Sequence, residues 1–258
     1  MPIVHMKGKV LPYDPTAFVV NVKDLPPLTW KNGQTGNCTK ITTRIDASVV
    51  DIEFDVNAFH EKDIPALMMK AWDLARAAVD LWCFKVGWGL SVVIDSIVKP
   101  DGTSATILSK DEPLGVLATA LDSSQNGINH YDTCYRLLVS EPPLFMALND
   151  LIVSITVPHH ASVNCARAIE GLRVLMAPGE GRKDAWAIMR SNLNIEAEYL
   201  TFVTDLSTAP RHGDRTWIPG PTVSEAVRRT WIVMNRFLEF RKRGSKSLPL
   251  AEFPLLRP

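Results

Sequence analysis

SVVDIEFDVN, residues 48–57, and the segment DIPALMMKAWDLARAAVDLWCFKVGWG that follows at 63–89 decide the fold class between them. In the first, Val50, Ile52, Phe54 and Val56 alternate with Asp51, Glu53 and Asp55, the period-two pattern of a strand buried on one face. In the second the period changes. Met68, Trp72, Ala75, Val79 and Trp82 recur every three or four residues opposite Lys70, Asp73, Arg76 and Asp80, which predicts a long amphipathic helix. Asp63 stands at the expected N-cap, Pro65 falls in the first turn where a missing amide hydrogen is harmless, and Gly87 and Gly89 end the pattern.

Two more strands are expected after the helix, LSVVIDSIV at 90–98 and TSATILS at 103–109, joined by the turn residues Lys99-Pro100-Asp101-Gly102. Before residue 46 the chain is rich in Pro, Thr, Asn and Gly and contains one short β-prone run, AFVVNV at 17–22. Residues 1–45 therefore read as irregular β or an edge-covering arm, with Lys31-Asn32-Gly33-Gln34 as a hairpin turn. PLGVLATALD at 113–122 is ambiguous between strand and helix. DSSQNG at 122–127 is the linker candidate, so the first domain is taken as 1–125, its strand, helix and hairpin occupying 46–110.

The remainder, 126–258, reads as helices at roughly 128–140, 143–157, 161–176, 184–206 and 222–242, broken at Pro142-Pro143, Pro158 and Pro178-Gly179. The fourth carries Trp186, Met189, Leu193, Ala197, Leu200 and Val203 on one stripe, and the fifth Val223, Val227, Trp231, Met234 and Leu238. Thr222 and Glu225 have the spacing of a capping box at the start of the fifth. The expected fold is α+β: a small N-terminal β-sheet with one long helix, followed by a C-terminal antiparallel five-helix bundle.

With 28 basic and 28 acidic residues the chain is neutral, so no global field points to nucleic acid or membrane. Four cysteines, Cys38, Cys83, Cys134 and Cys165, lie far apart without zinc-ligand spacing, which suits a reducing cytoplasm and neither a disulfide framework nor structural zinc. The longest apolar stretch, LFMALNDLIVSITV at 144–157, is too short for a membrane span and contains Asn149 and Asp150. No cofactor or metal is expected. Gly179-Glu180-Gly181-Arg182-Lys183 lacks the spacing of a nucleotide fingerprint and reads as a connector, and His159-His160 reads as a surface pair.

The connection LSTAPRHGDRTWIPGPT at 206–222 packs Arg211, His212, Asp214 and Arg215 into five positions. His212 suits proton transfer near neutral pH, and Arg211 with Arg215 suits a phosphate or carboxylate. The same residues also fit a plain connection in which Asp214 pairs with one arginine. From 211 to 246 the cations Arg211, Arg215, Arg228, Arg229, Arg236, Arg241, Lys242, Arg243 and Lys246 outnumber Asp214, Glu225 and Glu239, a local patch suited to a polyanion. Helix-dipole complementarity and an i,i+4 Glu225–Arg229 pair account for part of that patch equally well.

ASVNCARAIEGLRVLM at 161–176, YLTFVTDLSTAPRHG at 199–213 and the closing amphipathic helix together resemble the HEPN superfamily over about residues 128–242. The resemblance implies a bundle that often dimerises, serves in toxin, antiviral-defence or RNA-processing systems, and in active members cleaves RNA without a metal. Active members carry an arginine four to six residues before a histidine, whereas here Arg211 and His212 are adjacent. Arg190 would stand about 24 Å from the end of a continuous 184–206 helix, which leaves Arg229, or an arginine of a second protomer, to approach His212. The leading expectation is binding of RNA or a phosphorylated ligand through Arg211, His212, Arg215, Arg229 and Arg236, with His212 and Arg211 catalytic if the protein is a ribonuclease. The alternative is a non-catalytic protein partner that uses the 207–221 loop and the basic helix end.

Overall fold

The computed structural model describes residues 1–14, 19–22, 25–31, 38–107, 112–122, 130–214 and 218–258. The chain divides into two compact units, Met1–Leu108 and Ser109–Pro258, each with its own hydrophobic core. The division falls well before 125 because residues 112–121 are helical and belong to the second core. Leu114 and Ala120 are buried there, and the Ala120 amide donates to Asn235 Oδ1 at 2.8 Å.

The first unit runs β1 (Ile3–Leu11), β2 (Leu28–Lys31), β3 (Cys38–Asp46), β4 (Val49–Val56), α1 (Ile64–Val86), β5 (Ser91–Val98) and β6 (Ser104–Thr106). They form one sheet in the order β2-β3-β4-β1-β5-β6, every pairing antiparallel. Far from being an arm, the N-terminal segment supplies the strand between β4 and β5. Val4, Met6 and Val10 are fully buried on its inner face. Gly8 continues that face, and a Cβ there would lie 1.9 Å from the Val93 carbonyl oxygen, so only glycine fits where β1 shifts register against β5. The run at 19–22 forms no strand but is held by Val22, which exchanges backbone hydrogen bonds with Ile45. Of the expected turn Lys31-Asn32-Gly33-Gln34, Lys31 ends β2, which pairs with β3, and residues 32–34 lie outside the described residues.

The β5–β6 turn forms as expected, with Gly102 at φ +83° and its amide donating to the Lys99 carbonyl at 2.9 Å. α1 begins after Asp63, which makes no side-chain cap bond, and ends at Gly87 in the left-handed region. Its face toward the sheet is centred on Leu67, Ala71, Ala75, Ala78, Val79 and Cys83, one position from the stripe expected. The reason is size: alanines let the helix approach the strands, and the larger Met68, Trp72 and Trp82 pack at the margins. On the other face of the sheet the Asp51, Glu53, Asp55 row of β4 runs between Lys7 and His5 of β1 and Lys40 and Arg44 of β3. His5 Nδ1 lies 3.0 Å from Asp51 Oδ1. This cross-strand pair accounts for Asp51 without a ligand, whereas Asp55 Oδ1 is buried with no hydrogen-bond partner among the described residues.

The second unit comprises α2 (Glu112–Val116), a 3₁₀ turn (Thr119–Leu121), α3 (His130–Ser140), α4 (Pro142–Thr156), α5 (Ala161–Met176), α6 (Arg182–Leu193), α7 (Ala197–Asp205), α8 (Thr208–Arg211) and α9 (Gly220–Lys242). α5 is the central helix: α4, α6, α7, α8 and α9 all contact it. Its small buried residues Ala161, Ser162, Cys165, Ala166 and Ala168 admit those neighbours. The expected helix 184–206 is two helices, α6 and α7. Asn194 turns left-handed at φ 55°, and its side-chain amide donates to the carbonyls of Leu248 and Phe253, each at 2.9 Å. The Leu256 amide donates to the Asn194 carbonyl, so the C-terminal tail is stitched into the break. A straight-rod distance from Arg190 to Leu206 therefore does not apply. α9 starts two residues before the expected cap, with Pro219 as N-cap and no side-chain cap bond, so Thr222 and Glu225 form no capping box. No single helix among the described residues is long and apolar enough to cross a membrane.

Candidate functional site

Part of the expected long loop after α7 is helix, at Thr208–Arg211 and from Gly220 on. Ser207 is buried and its hydroxyl donates to the Thr204 carbonyl at 2.6 Å. α8 follows and ends at His212, after which Gly213 turns at φ +81° and the Asp214 amide returns to the Ala209 carbonyl at 3.0 Å. This leaves Arg211 and His212 side by side and exposed at the end of a helical turn anchored on α5. Arg215 lies outside the described residues.

Arg211 lines an open groove of about 540 Å³ whose other walls include Pro143, Met146 and Asp150 of α4 and Arg167, Glu170 and Gly171 of α5. α4 and α5 pack closely here: a Cβ on Gly171 would lie in van der Waals contact with the Ala147 Cβ at 3.4 Å. Asp150 is the unusual member. Its side chain is 11% exposed, and Arg167, at 54%, meets it through Nε at 3.3 Å. Burial pushes the Asp150 carboxyl above the usual range, and the Arg167 charge only partly opposes this. Glu170 is held by Arg173 at 3.0 Å and Arg182 at 2.8 Å. Arg167, Arg173, Arg182 and Arg211 thus outnumber the carboxylates of Asp150 and Glu170, and a perturbed acid sits beside a cation in a cleft, the arrangement found at reactive and binding sites.

Arg229 and Arg236, expected to bind phosphate, are placed otherwise. Arg229 is buried, pairs with Glu225 at 2.8 Å, and lies over the rings of Tyr199 and Phe202 at 4.8 and 4.2 Å. Arg236 is buried and donates to the carbonyls of Leu193 at 2.7 Å, Asn194 at 2.9 Å and Pro254 at 2.6 Å. Its donors close the end of α6 and hold the tail, and burial lowers its pKa. Both guanidinium groups serve the fold, leaving no face for a phosphate.

The basic end of α9 is neutralised by carboxylates both within the helix and beyond it. Arg241 forms a two-point pair with Glu141, Lys242 meets Glu239 at 3.1 Å, and Arg243 meets Glu252 at 2.7 Å. A charge count over 211–246 overstates the local field because Glu141 and Glu252 lie outside that window. His159 and His160 are exposed before α5, and no group of three or more metal-ligating side chains occurs among the described residues. Cys83, Cys134 and Cys165 are free and buried. Burial raises the Cys134 and Cys165 thiols, which makes them poor nucleophiles.

Asp150 and Arg167 were missed as site residues by sequence reasoning, although a signal existed. An acid stands beside the buried stripe of Leu144, Ala147, Leu151 and Ser154 on an otherwise apolar helix.

Residues 4–108 match the family model described as the N-terminal domain of a domain of unknown function (DUF8168), and residues 131–242 match the C-terminal domain of the same family. Comparison with curated proteins and with solved structures gives no match.

Proposed function

We propose, for a chain that belongs to the DUF8168 family through both of its domains, that the helical unit binds the phosphate groups of RNA in the groove of α4, α5 and α8. The observation that carries this reading is that Arg211 and Arg167, from different helices, line one open groove beside the buried Asp150 carboxylate. Guanidinium groups match phosphate oxygens in a bidentate way, and Arg167 is exposed enough to exchange or share its carboxylate partner with an incoming anion. His212 follows Arg211 at the rim. In the catalytic form of the reading, the one in keeping with the HEPN resemblance, a ribose 2′-hydroxyl loses its proton and attacks the adjacent phosphorus, the bond to the next nucleotide's 5′-oxygen breaks and that oxygen leaves protonated, and His212 takes the first proton or gives the second. Arg211 and Arg167 then hold the charge that develops.

The test is binding of a fluorescent single-stranded RNA at 50 and 200 mM salt, followed by a search for cut products. Two phosphate contacts predict about sevenfold weaker binding at the higher salt. Arg211→Ala and Arg167→Ala should each weaken binding, Arg190→Ala should not, and His212→Ala should abolish any cleavage while leaving binding. Equal binding by wild type and both groove variants would end the reading.

A partner-protein reading keeps one observation in its favour: Phe145 and Met146 of α4 are exposed apolar residues, and Met146 lines this groove. Complex formation insensitive to salt but lost in Met146→Asp would favour it.

A further inference from the structure

A second cavity lies inside the helical unit, walled by α3, α4, α9 and the 3₁₀ turn before α3, with a volume of about 230 Å³. Its deep wall is formed by Cys134, Leu148, Leu151, Trp231, Met234 and Leu238. Tyr131, Tyr135 and Ile152 line it too and are exposed, which places the mouth at the surface between α3 and α4. No Asp, Glu, Lys, Arg or His lines it. The one amide in the lining, Asn235, is committed elsewhere: its Oδ1 accepts from the Ala120 amide at 2.8 Å and its Nδ2 donates to Thr119 Oγ1 at 3.0 Å. Water entering this space meets too few polar partners to be held well, since a retained water needs two to four.

Packed interiors carry few voids larger than a water molecule, and nothing in the composition prevented this one from being filled. Leu138, Leu148 and Trp231 are only partly buried against the core and all line the cavity. An indole face, a thiol and a thioether in one wall are polarisable groups that favour a flat π-system over a saturated chain. We propose that this cavity is a binding site for a neutral aromatic small molecule, with the tyrosine-lined mouth accommodating one polar substituent. An apolar cavity of about 150 Å³ holds one benzene ring, so this one suits about ten non-hydrogen atoms, the size of a fused bicycle. The site is separate from the arginine-lined groove and does not rest on phosphate binding.

The probe is 2-naphthol, titrated calorimetrically into the full chain, with benzoate as an anionic control. At the ligand efficiency of small fragments the dissociation constant should be about 0.1–1 mM, with benzoate at least tenfold weaker. Leu148→Trp fills the cavity and should reduce naphthol affinity at least tenfold with an unchanged far-ultraviolet dichroism spectrum. Should that variant not fold, the wild type still decides the matter. Naphthol must shift the Trp231 indole N–H resonance, assigned through Trp231→Phe, and leave those of Trp82 and Trp88 in place. Undetectable binding to the folded wild type, undiminished binding in folded Leu148→Trp, or shifts confined to Trp82 and Trp88 would each overturn the proposal. So would a dimer whose formation displaces naphthol, because a side chain of a second copy would then be the natural occupant.

Discussion

Arg167 reaches across from α5 to place its Nε 3.3 Å from the Asp150 carboxylate, the cation half in solvent and the acid almost entirely out of it. The pair is unequal. Arg167 retains water when the contact is broken, whereas Asp150 carries the cost of burial as an ion.

That inequality fixes a pH dependence. Burial raises the folded-state pKa of Asp150 above the ordinary aspartate value of 3.8, so the native state holds the proton more tightly than the unfolded chain. The protein's stability contribution from Asp150 is then greatest below the unfolded pKa and falls as pH rises through the folded one. Asp150→Asn removes this loss, and its urea midpoint relative to wild type should increase between pH 4 and pH 7. Parallel profiles for the two proteins would show that Arg167 compensates the burial in full.

Arg236 closes the C-terminal end of α6 with donors to three carbonyls. Arg236→Ala leaves those acceptors unpaired and should cost about 3 kcal/mol in urea unfolding, with faster proteolysis of residues 248–258. Arg236→Lys should recover only part, because an ammonium cannot span the fork. A loss under about 1 kcal/mol would mean that water replaces the guanidinium there.

Tyr199 is 4% exposed, and its hydroxyl meets no hydrogen-bond partner among the described residues. Burial raises its pKa from 10.0 to about 12, so the neutral phenol is favoured in the fold and stability declines as pH climbs through that interval. Tyr199→Phe should be neutral or stabilising by about 1 kcal/mol at pH 7 and should flatten the alkaline decline. A destabilised variant would reveal a hidden partner for the hydroxyl.

Gly8→Ala places a methyl 1.9 Å from the Val93 carbonyl oxygen at the register shift between β1 and β5. Backbone, not a flexible side chain, must yield, and the expected cost is on the order of 4 kcal/mol. Loss of the sheet's circular dichroism with the helical signal retained is the readout; unaltered thermal unfolding would contradict it.

The β3–β4 hairpin turns through Ala47 at φ 50° and Ser48 at φ 64°, a type I′ geometry that favours glycine or asparagine. The Ser48 hydroxyl accepts from the buried Val20 amide at 3.0 Å, and the Ala47 amide donates to Asn21 Oδ1 at 2.8 Å. Ala47→Gly keeps both bonds and relieves the positive φ, so it should stabilise by about 1 kcal/mol. Ser48→Gly loses its hydroxyl and should not. Equal responses at both positions would deny the hydroxyl its role.

Elements whose signal is local were legible: the alternating strand at 49–56, the helix after Pro65 and the Pro100-Gly102 turn each follow from neighbouring residues. β1 was obscured by its own requirement, since Gly8 interrupts the apolar alternation of Val4, Met6 and Val10 where no Cβ fits. The hairpin at Ala47-Ser48 was hidden because its residues are poor turn formers held by contacts with residues 20–21. Asn194 alone does not announce a helix stop; partners more than fifty residues later make it one. The same distance effect governs the site. Arg236 and Arg241 look free in sequence because Leu193 and Glu141 come from other helices, while Asp150 becomes notable only when Arg167 is brought beside it.

The position of β1 bears on how the first unit is made. Its two neighbours are β4, ending at Val56, and β5, ending at Val98, so β1 waits through most of the unit's synthesis before both of its edges can be paired. Sequence-distant pairings of this kind slow folding, and a nascent chain that has passed Val56 but not reached Val98 must carry the β5-facing edge of β1 open, exposed to other chains. Production of the isolated first unit should therefore depend on the rate of translation and on chaperone supply.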